Sequence, residues 1–364
     1  MIESESTDRR WLDAAARLAT QSLGLGGKGP TVGAIVVDPQ RQLVLGRAVT
    51  PPRGLSQAEP LALLEAKGLT HGRTLYVTLE PAAHYTSLAP VTGTIIEAGI
   101  TRVVVGALDP DREHARQGLH DLADAGIEIF FLPHEPSLRL CEGYATRVTR
   151  ARPFVTMKVA LSADGMVGYN RPGQPVPIGV EALRFVERER AAADAVLSGA
   201  ARAEIEDNDL RVHLEGLEGR GALRVVLAGA RDLDMSRELF AAVSGVPILV
   251  VTTDARPLTL RPGIEVVAVA ERRGHPDLRA ALDLLAARGI NRLFVEAGAR
   301  LAESFVAGEL VDRIHIVETG IEIGRSGVPA ALLGGFAERI AAARFSEVDR
   351  RVLGEDKVRT LERV

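Results

Sequence analysis

An α/β fold in two domains is what this sequence predicts, and three observations predict it. The chain has 364 residues, enough for two cores of ordinary size. Short runs rich in Val, Ile and Leu, such as residues 33–38 and 102–106, alternate with stretches whose apolar residues recur at helical spacing. The alternation continues through most of the chain, the pattern of a mainly parallel sheet covered by helices.

The elements follow in order. A helix is expected over residues 11–23, where Leu12, Ala15, Ala16, Leu18 and Ala19 share a face and Gly24 to Gly27 end it. Residues 33–38 and 43–48 are strand runs parted by Pro39-Gln40, a hairpin signal. Next come a helix at 58–68, a strand at 73–78, a helix at 91–98, a strand at 102–106, and a helix–strand pair at 119–125 and 127–132. Residues 134–152 read as a linker region, so the expected domains are 1–147 and 148–364. The second domain opens with a strand ending near Ala160, then shows a helix at 181–193 and a strand at 194–199. Strand runs at 224–228 and 247–251, a helix at 278–288 and a strand–glycine–helix segment from 293 to 305 complete it.

Composition excludes several classes. Lys and Arg total 44 against 48 acids, a net charge of −4, with no basic run interleaved with aromatic residues, so no nucleic-acid partner is expected. The lone cysteine, Cys141, excludes an internal disulfide framework and fits a reducing compartment. The first residues are polar and acidic and no later run approaches a membrane span, so a soluble cytoplasmic protein without a membrane partner is expected.

One stretch of the first domain carries the frame of a metal site. Zinc-dependent nucleobase deaminases combine an H-x-E segment with a later P-C-x-x-C type segment, the Glu moving protons for the metal-bound water. Here the first segment reads Gln57-Ala58-Glu59, and the second keeps Glu80, Pro81, His84, Tyr85 and Pro90 while Ala82 and Val91 stand at the cysteine positions. With Val32-Gly33-Ala34 upstream and Ala98-Gly99-Ile100, Val103-Val104-Val105 and Asp109-Pro110 downstream, it resembles the deaminase half of the bacterial bifunctional riboflavin-pathway deaminase-reductase (RibD) family. The resemblance implies a cytidine-deaminase-like three-layer domain. The chemistry departs from the family, because zinc takes thiolate or imidazole ligands whereas Gln57, Ala82 and Val91 offer one amide oxygen. No zinc is therefore expected, Glu59 has no metal-bound water to serve, and His84 reads as a structural or former substrate-contact residue. Gly29 stands where the family has an Asn before Pro-x-Val-Gly.

The second domain extends the resemblance. Arg152-Pro153-Phe154-Val155-Thr156-Met157-Lys158-Val159-Ala160 followed by Ser162-Ala163-Asp164-Gly165 is similar to the opening of the family's reductase half, whose fold is similar to dihydrofolate reductase. Alone, a strand with Asp-Gly is an ordinary hairpin signal. In register follow Arg190 on a helix and then Val295-Glu296-Ala297-Gly298-Ala299-Arg300-Leu301-Ala302-Glu303-Ser304. The resemblance makes the stretch from Gly298 through Ser304 the NADPH-binding segment, by way of Gly298, Ala299, Arg300, Leu301, Ala302 and Ser304, since backbone amides at a helix start favour phosphate. It also places Ala160, Arg202 and Glu206 at the cofactor. Arg190, Leu210, Arg211 and His213 fall at the substrate, with Arg190 suited to a phosphate. Lys158, Asp164, Asp207 and Glu296 are the catalytic candidates, with Glu206 beside them, and the proton donor among them is left open.

Departures fall here too. Arg202 replaces a cofactor-contacting Thr, Asn208 a Pro and His213 an Arg, while residues 173–179 lack a Ser and a Trp of the family. Reduction asks less of side chains than zinc deamination does, because the cofactor carries the hydride and the protein mainly positions. The expected activity is therefore an NADPH-dependent reductase of riboflavin biosynthesis acting on 5-amino-6-(5-phosphoribosylamino)uracil, a phosphorylated ribosylaminopyrimidine, in a homodimer with an inactive first domain. A pseudoenzyme with both sites eroded, and a reductase for a related pyrimidine or pteridine-type substrate, are the alternatives.

Overall fold

The computed structural model describes residues 2–25, 27–84, 89–170, 174–202, 209–229, 233–241, 246–254, 262–330, 340 and 344–364. Met1–Arg152 and Pro153–Val364 form two compact units.

In the first unit, α1 (Ile2–Ala19) begins well before residue 11. Asp8 accounts for the extension: its buried carboxylate accepts from the Tyr76 hydroxyl at 2.8 Å and from Arg102 Nη1 and Nη2 at 2.8 and 2.9 Å. Three donors on one carboxylate tie the first turns of α1 to the strands beneath. Strands β1 (Gly33–Asp38), β2 (Leu43–Val49), β3 (Thr74–Val77), β4 (Arg102–Val105) and β5 (Glu128–Phe131) form a sheet in the order β2-β1-β3-β4-β5. β1 runs antiparallel to both β2 and β3, while β3, β4 and β5 are parallel. Helices α2 (Ala58–Glu65), α3 (Val91–Glu97) and α4 (Gln117–Asp124) connect them. A Cβ on Gly33 would collide with the carbonyl oxygen of Ala15, so glycine lets α1 lie close against β1.

The expected linker at 134–152 is instead helix α5 (Glu135–Arg150). Ser137, Leu140 and Cys141 bury one helical face, and Ala151 ends the helix in the left-handed region at φ 52°. Residue 147 thus lies inside a helix, and the division of the chain falls after Arg152, immediately before the rigid Pro153.

The second unit holds β6 (Phe154–Leu161), β7 (Met166–Tyr169), α6 (Val180–Ala191), β8 (Ala195–Gly199), β9 (Leu223–Leu227) and the short α7 (Glu238–Ala241). Then follow β10 (Ile248–Thr253), β11 (Ile264–Val269), β12 (Glu271–Arg272), β13 (His275–Pro276), α8 (Leu278–Ala287), β14 (Arg292–Glu296) and α9 (Ala299–Ala307). β15 (Arg313–Glu318), β16 (Gly327–Pro329), β17 (Phe345–Leu353) and β18 (Asp356–Arg363) close it. The nine-stranded sheet runs β11-β10-β9-β8-β14-β6-β15-β18-β17, parallel from β11 to β15 with the hairpin β17–β18 antiparallel at one edge. Two apolar layers cover its faces. One includes Met157, Leu197, Val295 and Phe305; the other includes Phe185, Val196, Phe294 and Val317. After β6 the chain builds outward from β8 to β11 and then returns to insert β14 between β8 and β6. Strand order therefore reverses at β6 and β14, where open α/β sheets form their crevices at the carboxyl ends.

Candidate active site

Strand register assembles the site. Ser198, Glu296, Lys158, His315 and Thr360 are successive partners across β8, β14, β6, β15 and β18. They lie one position in from Phe294, Ala160, Val317 and Val358 on the face that α6 covers, because alternate residues of a strand share a face. All five are buried, none more than 7% exposed. A buried polar row in a parallel sheet costs free energy unless its groups are paired, and the pairing is visible.

Glu296 is its centre. Arg190 on α6 donates from Nε to Glu296 Oε1 at 2.5 Å and from Nη1 to the Arg211 carbonyl at 2.8 Å. Arg202 Nη2 lies 3.7 Å from Glu296 Oε2, and its Nη1 donates to the Ala297 carbonyl at 3.1 Å. Burial by itself would raise the Glu296 pKa, but the charges of Arg190, Lys158 and Arg202 outweigh it and hold the carboxyl at about 2. These four side chains form the polar wall of a cavity of about 140 Å³, with residues 175–178 and α6 as its apolar wall.

Next to Glu296 the chain turns into α9. Gly298 caps that helix with φ −77° and ψ 172°, and a Cβ built there would meet no atom within 4 Å. Open space thus faces a helix start whose first amides, those of Ala299, Arg300 and Leu301, have no acceptor within the helix. The amide of Ala302 already donates to the Gly298 carbonyl at 3.0 Å and its methyl is in the core, while Ser304 donates to the Arg300 carbonyl at 2.8 Å. The turn suits a cofactor phosphate through Gly298, Ala299, Arg300 and Leu301.

The other expected residues are distributed. Asp164 does not line the cavity: the Ser162 hydroxyl donates to its Oδ1 at 2.5 Å, and the Ile323 and Gly324 amides donate to Oδ1 and Oδ2 at 3.2 and 2.7 Å. Those donors hold its pKa low. Glu206 and Asp207 lie outside the described residues. Ala160 and Leu210 are buried in the core layer under α6. Asp209, which sequence reasoning passed over, organises its neighbours: Oδ1 meets His213 Nε2 at 2.9 Å and accepts the Arg211 amide at 2.9 Å, and Oδ2 lies 3.8 Å from Arg211 Nε. Its role follows from that local turn. His315, Thr360 and Ser198 had no local signal, since only strand order brings them beside Lys158.

In the first unit, Gln57 caps α2 by position and puts Glu59 in its first turn, buried. Burial pushes the Glu59 carboxyl up to about 7, against a smaller lowering by a backbone hydrogen bond. Val91 donates its amide to the Ala82 carbonyl at 2.8 Å, so the second and third ligand positions are neighbours carrying a methyl and an isopropyl group. Glu80 Oε2 accepts the Asp109 amide at 3.1 Å, and the rings of His84 and His114 stack at 3.5 Å. Among the described residues no group of three His, Cys, Asp or Glu is placed to hold a metal. Tyr85 lies outside them.

Comparison with known proteins gives two family matches. Residues 153–356 match the RibD C-terminal domain, and residues 5–107 match the cytidine and deoxycytidylate deaminase zinc-binding region. The fold is thus a cytidine-deaminase-like α/β domain followed by the α/β C-terminal domain of RibD. The riboflavin biosynthesis protein RibD of Haemophilus influenzae is 31% identical over 330 residues, 87% of each chain. That of Aquifex aeolicus is 30% identical over 358 residues, covering 96% of this chain and 97% of the other. A crystal structure from Thermotoga maritima, described as a diaminohydroxyphosphoribosylaminopyrimidine deaminase/5-amino-6-(5-phosphoribosylamino)uracil reductase, superposes with a TM-score of 0.84 at 25% identity, over 99% of this chain and 100% of that one. The chain belongs to the RibD family of riboflavin biosynthesis proteins.

Proposed function

We propose that this chain is an NADPH-dependent reductase acting on 5-amino-6-(5-phosphoribosylamino)uracil, and that its deaminase-like domain holds no zinc and does not deaminate. The observation that carries the first part is the buried carboxylate of Glu296 set among Lys158, Arg190 and Arg202 beside the glycine turn of α9. Among the described lining residues, Lys158, Arg190 and Arg202 stand beside the single carboxylate of Glu296, a lining that suits anionic, phosphorylated ligands.

Each side chain has a role that follows from its chemistry. Arg190 and Arg202 keep their protons at any working pH, so they bind and orient. Glu296, ionised far below neutrality, anchors Arg190 through a hydrogen bond and attracts Arg202 and Lys158 by charge. Lys158 Nζ is then the group among the described cavity residues able to give a proton to the substrate as it is reduced. NADPH, held by the turn at Gly298 and the first amides of α9, supplies the hydride when bound. Residues 175–178 make that face of the cavity apolar.

The second part rests on the donor set. An amide, a methyl and an isopropyl group at Gln57, Ala82 and Val91 supply none of the thiolate or imidazole ligands that zinc takes. Glu59, neutral until about pH 7 through burial, has the environment of a core residue.

The test is a melting curve with NADPH followed by NADPH oxidation in the presence of 5-amino-6-(5-phosphoribosylamino)uracil. A hundredfold excess over the dissociation constant adds about 2.7 kcal/mol of stability, and turnover is expected. No stabilisation by NADPH would overturn the reductase reading, stabilisation without turnover would overturn the substrate, and a marked rise in melting temperature with zinc would overturn the account of the first domain.

A further inference from the structure

Beyond the four cavity residues, the polar row contains a histidine to which nothing so far gives a task. His315 is 4% exposed on β15, where the polar row meets the apolar side chains of Phe185, Val317 and Val358. A leucine would fit such a layer at lower cost, since a buried imidazole needs partners for both ring nitrogens. One has a hydrogen-bond partner and the other a charge. Nδ1 lies 3.0 Å from Thr360 Oγ1, while Nε2 makes no hydrogen bond among the described residues and lies 3.5 Å from Glu189 Oε2, an ion-pair distance; the ring stands edge-on to Phe185 at 5.0 Å.

The placement relates His315 to the site. It is the register partner of Lys158, one strand away on the side opposite Glu296, which is Lys158's partner on β14. Register partners in a parallel pair project to the same face, so the imidazole flanks the lysine stem. Helix α6 closes the arrangement from above with consecutive residues: Arg190 reaches Glu296 on one side of β6, and Glu189 reaches His315 on the other. Burial would raise the Glu189 carboxyl, but His315, Arg313 and Arg292 together hold it low, so the clamp stays anionic.

We infer that His315 is a positioning residue for Lys158: Thr360 and Glu189 fix its ring against the lysine stem, and the ring keeps the ammonium group turned toward Glu296 and the cavity. The inference rests on the reductase reading only for the kinetic consequence, because the placement of Lys158 has a readout of its own. The chain has four lysines, Lys28, Lys67, Lys158 and Lys357, so competitive acetylation followed by peptide mass spectrometry reports Lys158 against three internal references in the full-length protein.

The variants are His315→Leu, which removes the polar contacts at similar volume, and His315→Gln, which keeps an amide able to bridge Thr360 and Glu189. In His315→Leu the acetylation of Lys158 relative to the other lysines is expected to change severalfold, kcat to fall about tenfold and KM for NADPH to stay within about twofold, the pattern of lost positioning rather than lost binding. His315→Gln is expected to restore most of kcat. If His315→Leu melts like the parent yet leaves Lys158 reactivity and kcat unchanged, the inference is wrong. If it melts lower, His315→Gln decides: a variant as stable as the parent with the leucine variant's kcat also overturns it. Failure of the functional reading shows differently, as absence of NADPH turnover in the parent protein while the shift in Lys158 reactivity remains.

Discussion

A buried carboxylate is useful only for what surrounds it, and this chain contains two with opposite surroundings. Glu296 sits among cations and is held at about 2, whereas Glu59 has burial without a compensating charge and rises to about 7. Their linkage to folding therefore has opposite sign. For Glu296 the folded value lies below the ordinary 4.5, so its contribution is complete above 4.5 and is lost as pH falls from there toward 2, a change on the order of 3 kcal/mol. For Glu59 the folded value lies above 4.5, so its contribution is complete below 4.5 and is lost as pH rises toward 7. Glu59→Gln is accordingly expected to stabilise the protein by about 2–3 kcal/mol at pH 8 and by little at pH 5, measured by denaturant unfolding. Equal effects at both pH values would show that the carboxyl is charged throughout. Arg190→Met leaves Glu296 with one hydrogen-bonded guanidinium fewer in a dry site, and a loss of about 3–5 kcal/mol is expected from the same measurement. Little of this was legible beforehand: Lys158, Arg190 and Glu296 were readable from the motifs, but the ion pair that joins them depends on which strands are neighbours.

At the scale of elements, the β14–α9 turn is the part whose task can be separated from its stability. Gly298 has φ −77°, which any residue adopts, and a Cβ there touches nothing. Folding does not require glycine at this position; in the proposed function, close approach of a cofactor phosphate does. Gly298→Glu is expected to melt within a degree or two of the parent while weakening NADPH binding at least tenfold, by titration calorimetry, because it places a bulky like charge where the phosphate would lie. Unchanged affinity would move the cofactor site elsewhere. Helix and strand positions were read well where periodicity was strong, as in α2, β6 and β14. They were missed where pattern was masked: β17–β18 carries charges on both faces, and α5 was taken for a linker because its buried stripe is narrow and lies between polar turns.

For the whole molecule, one chain carries both domains of the family, and the proposed function gives them different fates. The fold class was legible because both halves keep their core patterning, such as Val103-Val104-Val105 in β4 and Leu293-Phe294-Val295 in β14. An apolar residue at a position where the proposed reading has lost a zinc ligand is compatible with the fold, since Val91 is buried in the apolar layer of the first unit. The central claim is that reduction is retained and deamination is not. Its most direct test offers the zinc-supplemented protein, with NADPH, either the diaminohydroxyphosphoribosylaminopyrimidine or 5-amino-6-(5-phosphoribosylamino)uracil, and follows NADPH consumption and ammonia release together. The account predicts NADPH consumption with the uracil compound alone and no ammonia from either. Ammonia released from the diamino compound would contradict it, as would a lack of NADPH consumption with both.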